Sequence, residues 1–138
     1  DANTLYSFNW LIILFIALAI LVLLIINLET KSLFGKVQKL SCDELTRLLN
    51  SSKINLIDFR TKEEFNSGHI ITAQNLRFED IDKLDTKNNN AFVAYANTDS
   101  DALKGAKQFS KLGIQQVFYL EGGIKSWIEN NMPLTGED

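Results

Sequence analysis

An α/β domain with a parallel central sheet and helices on both faces, preceded by one transmembrane α-helix, is the fold class this sequence predicts. Three observations carry the prediction. The 138-residue chain has no charged residue between Asp1 and Glu29, and all 14 of its Lys and Arg residues lie at Lys31 or later. Beyond Lys31, short apolar runs of strand length alternate with helical patterns. Finally, Ala91 to Leu112 reads as a buried strand, a tight loop and a helix in immediate succession.

Trp10 to Ile26 is apolar without a break. A bilayer core about 30 Å thick takes roughly 20 helical residues, so residues 8–28 suffice for a span. Tyr6 and Trp10 sit where interfacial aromatic anchors belong. A secretory signal peptide is the poorer reading, because it wants a basic start, an apolar stretch of roughly 7 to 15 residues and a small-residue cleavage site. Lys31, Lys36 and Lys39 crowd the C-terminal flank, which by the positive-inside rule leaves residues 1–7 extracytoplasmic and the remainder cytoplasmic. The expectation is a single-pass protein of a bacterial inner membrane. Residues 29–36 form a polar connector short enough to hold the domain, residues 37–135, near the membrane surface, and residues 136–138 form a tail.

Within the domain, Val37 to Leu40 reads as an edge strand. Ser41 and Glu44 have capping-box spacing, and Leu45, Leu48 and Leu49 form the apolar stripe of the helix that follows. Ile54 to Phe59 is apolar almost throughout, as a central parallel strand should be. Thr61 and Glu64 repeat the capping box, starting a short helix that Gly68 ends. Gly68 to Ile70 is a tight turn, Ala73 to Leu76 a short strand, and Asp80 to Leu84 a small helix closed by the turn-rich Lys87 to Asn90. Ala91 to Ala96 is the buried strand and Asn97 to Ala102 its loop. Leu103, Ala106, Phe109 and Leu112 are the helical stripe that stops at Gly113. Gln116 to Leu120 is the last strand, Glu121 to Gly123 a turn and Ile124 to Glu129 the last helix, packed through Trp127. Pro133 ends regular structure.

Composition narrows the function. A net charge of −3 with no basic stripe leaves no footprint for nucleic acid. One Cys allows no internal disulfide and gives no sign of an oxidising compartment. His69 and Cys42 are two ligands where a structural zinc needs four, so no metal and no cofactor are expected.

Several pieces together resemble the rhodanese homology domain, the fold of sulfurtransferases and Cdc25-type phosphatases. They are Asp58 and Arg60 at a strand end, Glu64-Phe65, Gly68-His69-Ile70, Ala73 and Asn75, then Leu120 to Ile124, Trp127 and Pro133-Leu134. The resemblance implies a site in the loop after the strand Ala91–Ala96, where family members carry a catalytic Cys that holds a persulfide. Ala96 falls on that Cys, with Asn97, Thr98, Asp99, Ser100, Asp101 and Ala102 as the rest of the active-loop equivalents. This loop contains no thiol and no Arg, and its two carboxylates would repel an anionic donor.

The remaining family residues have readings of their own. Arg60 and Glu64, four apart across a helix start, can pair. Gly122-Gly123 supplies backbone angles that a side chain forbids. His69, the one histidine, reads as a ring hydrogen-bonded within a turn, and Trp127 as a packing residue.

Three functions compete. The first is a membrane-anchored, catalytically inactive rhodanese-like module that acts as a protein-binding or scaffold domain. It would touch the bilayer through residues 8–28 and a membrane-associated protein through the domain. The second is a sulfurtransferase using Cys42 as a displaced thiol: the helix start beside Ser41 favours a thiolate, which Asp43 and Glu44 oppose. The third is a Mg²⁺ or Ca²⁺ site on Asp99, Ser100 and Asp101, two carboxylates where calcium wants six to eight oxygens.

Overall fold

The computed structural model describes residues 2–33 and 37–136 and divides the chain into two compact units, 1–33 and 34–138. The first is a single helix, α1 (Ala2–Leu33), exposed on every side through residue 29, with a mean hydropathy of 3.4 in its most apolar window. It is long and apolar enough to cross a membrane. Helix geometry runs past both ends of the expected span, so residues 29–33 of the expected polar connector are helical. Nothing in those residues breaks the backbone ladder, for neither Gly nor Pro occurs before Gly35. The connector residues 34–36 and the tail residues 137–138 lie outside the described residues.

The second unit is built on five parallel strands in the order β1-β5-β4-β2-β3. In chain order they are β1 (Gln38–Leu40), β2 (Ile54–Asp58), β3 (Gln74–Asn75), β4 (Ala91–Tyr95) and β5 (Val117–Leu120). All five residues of β4 are buried, which its uniformly apolar sequence requires of a strand covered on both faces. Alternation then sorts them. Val93 and Tyr95 join Leu45 of α2 (Cys42–Ser51) with Ile124 and Trp127 of α5 (Gly123–Glu129) in one core. Phe92 and Ala94 join Ala106 and Phe109 of α4 (Asp99–Lys111) with Ile81 in the other.

Both expected capping boxes form. Ser41 and Glu44 close the start of α2, and Thr61 and Glu64 that of α3 (Lys62–Ser67). The segment expected as a small helix over Asp80–Leu84 is a 3₁₀ turn, Phe78–Lys83, whose first residue stacks its ring on Phe59 at 4.8 Å. That stacking draws the helical turn two residues forward.

The buried face of α4 is Ala102, Gly105, Ala106 and Phe109, so the expected stripe is rotated: Leu103 is half-buried and Leu112, the C-cap, is exposed. Small residues win because α4 packs close. A Cβ on Gly105 would land within the Phe59 ring. Gly113 ends the helix at φ +89° as expected.

Gly105→Ala should therefore lower the stability of the domain by about 1–3 kcal/mol, the usual cost of overpacking a core. Ala would otherwise favour a helix by roughly 1 kcal/mol, so a chemical melt showing a gain would mean that α4 can back away from Phe59.

Candidate functional site

Ligand sites in open parallel sheets form where strands end at their C-terminal edge. Here that edge gathers the residues after β2, β4 and β5. Ala96 follows β4 and is 1 % exposed. Its carbonyl accepts a hydrogen bond from the Ile124 amide at 3.2 Å. Gly123, at φ +60°, lies so close that a Cβ would strike the same carbonyl oxygen. Together with Gly122 at φ +78° it forms the tight entry to α5. The double glycine is thus a steric necessity of bringing the β5–α5 turn against the end of β4.

The expected six-residue loop is a correction. Only Asn97 and Thr98 separate Ala96 from α4, and Asp99, Ser100 and Asp101 are already the first helical turn. Thr98 is the N-cap, its hydroxyl accepting from the Asp101 amide at 3.2 Å, and carboxylates in a first turn suit the positive end of the helix dipole. Thr98 followed three residues later by Asp101 is spaced like a capping box, a signal present in the sequence.

The acidic side chains do more than repel. The Asp99 carboxylate accepts from the Gly122 amide at 2.8 Å, bridging α4 to the β5–α5 turn. The Asn97 carboxamide donates to Glu64 at 2.8 Å, bridging to α3. Hydrogen bonds from Asn97 and then Thr61 lower the Glu64 pKa. Among the described residues, no group of three or more His, Cys, Asp or Glu side chains could hold a metal ion.

The expected Arg60–Glu64 pair gives way to Arg60–Asp58, because Glu64 is committed to its cap and to Asn97. Asp58 is fully buried and the Arg60 side chain 7 % exposed, with Nη2 to Oδ2 at 2.9 Å and Nε within 3.2 Å of both carboxylate oxygens. Burial opposes the Arg60 charge, but the hydrogen bond and charge of Asp58 outweigh it and raise its pKa. Arg60 also donates to the Gly68 carbonyl at 2.6 Å. Asn75 donates to the carbonyls of Asp58 and Arg60, and the Ile70 amide donates to the Tyr95 hydroxyl at 3.2 Å. Burial first, and then the Asp58 charge, push the Tyr95 pKa above its ordinary value.

His69 holds a turn, as its sequence context suggests. Its ring stacks on Phe65 and its Nδ1 lies 2.8 Å from the Phe65 carbonyl, so that nitrogen carries the proton. Its backbone pairs with Thr135 in an antiparallel bridge. Trp127 is buried and donates to the Pro133 carbonyl. Cys42, 6 % exposed, lies against α5, with Sγ 3.6 Å from Ser126 Oγ and 3.9 Å from Asn130 Nδ2. It shares a cleft of about 320 Å³ with Glu121 and Gly122, while Ala96 touches the next residue of that turn, Gly123. The thiol and Ala96 therefore flank one turn, which their distance in sequence did not suggest. Ser126 and Asn130 had no sequence signal, because a polar residue at a helix end reads as surface.

The chain matches the Rhodanese-like domain family over residues 41–130. An uncharacterized protein of Buchnera aphidicola is 30 % identical, the match covering 96 % of this chain and 88 % of the relative. A protein named thiosulfate sulfurtransferase GlpE from Shewanella oneidensis is 29 % identical, covering 67 % of this chain and 93 % of its own length. The crystal structure of a rhodanese-like domain protein from Staphylococcus aureus superposes with a TM-score of 0.60 at 23 % identity, over 74 % of this chain and all of that one (100 %).

Two outcomes follow from the buried cluster. Arg60→Met strands the Asp58 carboxylate and should lower stability by about 3–5 kcal/mol, whereas Asp58→Asn/Arg60→Met should lose less; equal losses in a chemical melt would mean that the pair is not the cause. Because the Tyr95 pKa is raised, its contribution to stability is complete below the ordinary tyrosine pKa and is lost as pH climbs beyond it. In an alkaline titration of tyrosinate absorbance, one tyrosine should ionise only as the fold opens, and Tyr95→Phe should remove that late step.

Proposed function

The chain belongs to the rhodanese-like domain family, and from that premise we propose that it is a membrane-anchored, catalytically inactive member that serves as a protein-binding module at the cytoplasmic face of the membrane. The carrying observation is Ala96. On the family resemblance it stands where a persulfide-bearing Cys would, and it contributes only a methyl group at the point where the β4–α4 junction meets the β5–α5 turn. Sulfur transfer needs a thiolate to take sulfane sulfur from thiosulfate, release sulfite and hand the sulfur on. The junction offers Asn97, Thr98 and Asp99 instead, with Asp99 already occupying the Gly122 amide.

What supports anchoring is α1, with its length and the uncharged run it carries from Ala2 to Leu28, apolar throughout from Trp10 to Ile26. Lys31, Lys36 and Lys39 beyond its apolar stretch support the inward orientation, and relatives from Buchnera and Shewanella support a bacterial inner membrane as the setting. What supports a binding role is a scaffold kept rigid at its site edge without a nucleophile to present there. Asn97–Glu64 and Asp99–Gly122 hold that edge in one shape, and a fixed surface loses less freedom when a partner docks. The thiol of Cys42 is the other candidate for chemistry, as the Shewanella relative's name invites. Its cleft is lined by Asp43 and Glu121, whose carboxylates would repel an anionic sulfur donor.

The full chain in lipid nanodiscs should show no thiosulfate:cyanide transfer above a protein-free blank, and Ala96→Cys alone should restore little, with Asp99 and Asp101 still in place. Turnover by the unaltered chain that Cys42→Ser abolishes would move the activity to α2 and overturn the inactive reading.

A further inference from the structure

The strands are all parallel, so the segments that enter them gather at the edge opposite the site: residues 51–53 before β2, 85–90 before β4 and 111–116 before β5. These segments adjoin. Asn55 donates to Asn88 at 3.4 Å, and Asn89 and Asn90 share a depression with Leu112 and Gly113. Within them Lys53, Lys87 and Lys111 are exposed and accompany one carboxylate, Asp85. None of the three lysines has an ion-pair partner among the described residues, whereas Lys39, Lys83 and Lys125 face Glu121, Asp80 and Glu129. Leu112 stands beside Lys111, 40 % exposed. The segments that leave β1, β4 and β5, residues 41–44, 96–102 and 121–123, carry Asp43, Glu44, Asp99, Asp101 and Glu121 and neither Lys nor Arg. A chain of net charge −3 thus divides its charge between two edges, one basic and one acidic.

The chain enters the domain at the basic edge, through Gln38 at the start of β1. Only five steps separate Gln38 from Leu33, the end of α1, and an extended chain covers at most about 18 Å in them. A bilayer that holds α1 is therefore within reach of this edge. Exposed ammonium groups beside an exposed leucine suit a surface that is anionic outside and apolar just beneath, which phospholipid headgroups provide. Each Lys brought near such a surface favours contact about fivefold. The tether adds to this, because it makes docking intramolecular. We propose that the edge bearing Lys53, Lys87, Lys111 and Leu112 docks on the anionic headgroups of the bilayer in which α1 is anchored. Docking rests on the anchoring proposed above and is independent of whether the β4–α4 junction is active. It turns that junction and its acidic surroundings away from the lipid, toward partners in the cytoplasm.

The test uses the full chain in nanodiscs of phosphatidylcholine alone or of phosphatidylcholine and phosphatidylglycerol in equal parts, each with a gadolinium-chelating lipid that broadens nearby amide signals. Broadening of the Ser52, Asn88 and Gly113 amides, relative to those of Thr98, Asp99 and Gly122, should be at least about twofold greater in the anionic discs. Raising the salt from about 0.05 M to about 0.5 M should remove the difference. Lys53→Gln/Lys87→Gln/Lys111→Gln, three exposed substitutions that leave the core untouched, should remove it as well. The tether alone acts alike in both discs. Equal broadening in the two, a difference that survives salt, or a triple variant that behaves as the unaltered chain does would each overturn docking while leaving the anchor in place. A chain that elutes apart from the discs would overturn the anchoring itself, and docking with it.

Discussion

The buried ion pair between Asp58 and Arg60 is the constraint on which the site edge depends. A carboxylate with no solvent exposure at the end of a central strand is tolerable only with a partner, and Arg60, two residues on, is the nearest side chain that can reach back to it. Once turned inward, the guanidinium has donors left over, and one goes to the Gly68 carbonyl. That contact fixes the end of α3, and with it the His69 backbone that pairs with Thr135 and the Ile70 amide that reaches Tyr95. One pair thereby sets the path of three segments. Its worth lies in specifying that path more than in net stability, since buried ion pairs recover little beyond their desolvation cost.

A second constraint operates across the sheet, where the backbone of Ala96 meets Gly123. The contact is made by a carbonyl oxygen, an amide and a missing Cβ, so it demands glycine on one side and almost nothing of the side chain on the other. Asp99 then spans the same gap from α4. The two brackets bring the β4–α4 junction and the β5–α5 turn together from opposite directions, and Asn97 with Glu64 adds α3 to the assembly. The site edge is consequently built from hydrogen bonds between neighbouring loops, each satisfying a group that its own element leaves unpaired.

What was legible in the sequence follows from which of these interactions are local. Strand β4, the capping boxes of α2 and α3 and the stop at Gly113 depend on residues within one turn of each other, and the order of residues displays them. The start of α4 was equally local but misread, because Thr98, Asp99 and Ser100 favour loops and helix caps alike. The spacing pairs Arg60 with Glu64, but Glu64 is withdrawn by Asn97, 33 residues away, which no spacing reveals. The rotation of α4 toward Ala102 and Gly105 answers to the Phe59 ring, and the nearness of Cys42 to Ser126 and Asn130 answers to the packing of α2 on α5. Such tertiary outcomes override a local pattern without leaving a mark in it.

The separation between scaffold and chemistry is itself a property of this architecture. Position 96 serves the fold through its carbonyl, which any residue supplies, and its buried methyl group forms none of the hydrogen bonds that join the junction to the turn. A nucleophile there can be lost without breaking those hydrogen bonds. The reverse holds for Asp99 and Thr98, which stabilise the helix start and close the turn by occupying the Gly122 and Asp101 amides. Where turnover is not needed, substitutions that tighten such a junction carry no functional cost, in line with the general opposition between a strained reactive site and a stable one. On the reading proposed for this chain, an inactive rhodanese-like domain is what remains when the backbone contacts of the site are kept, because the fold requires them, and the side chain at the end of β4, which the fold does not require, is released.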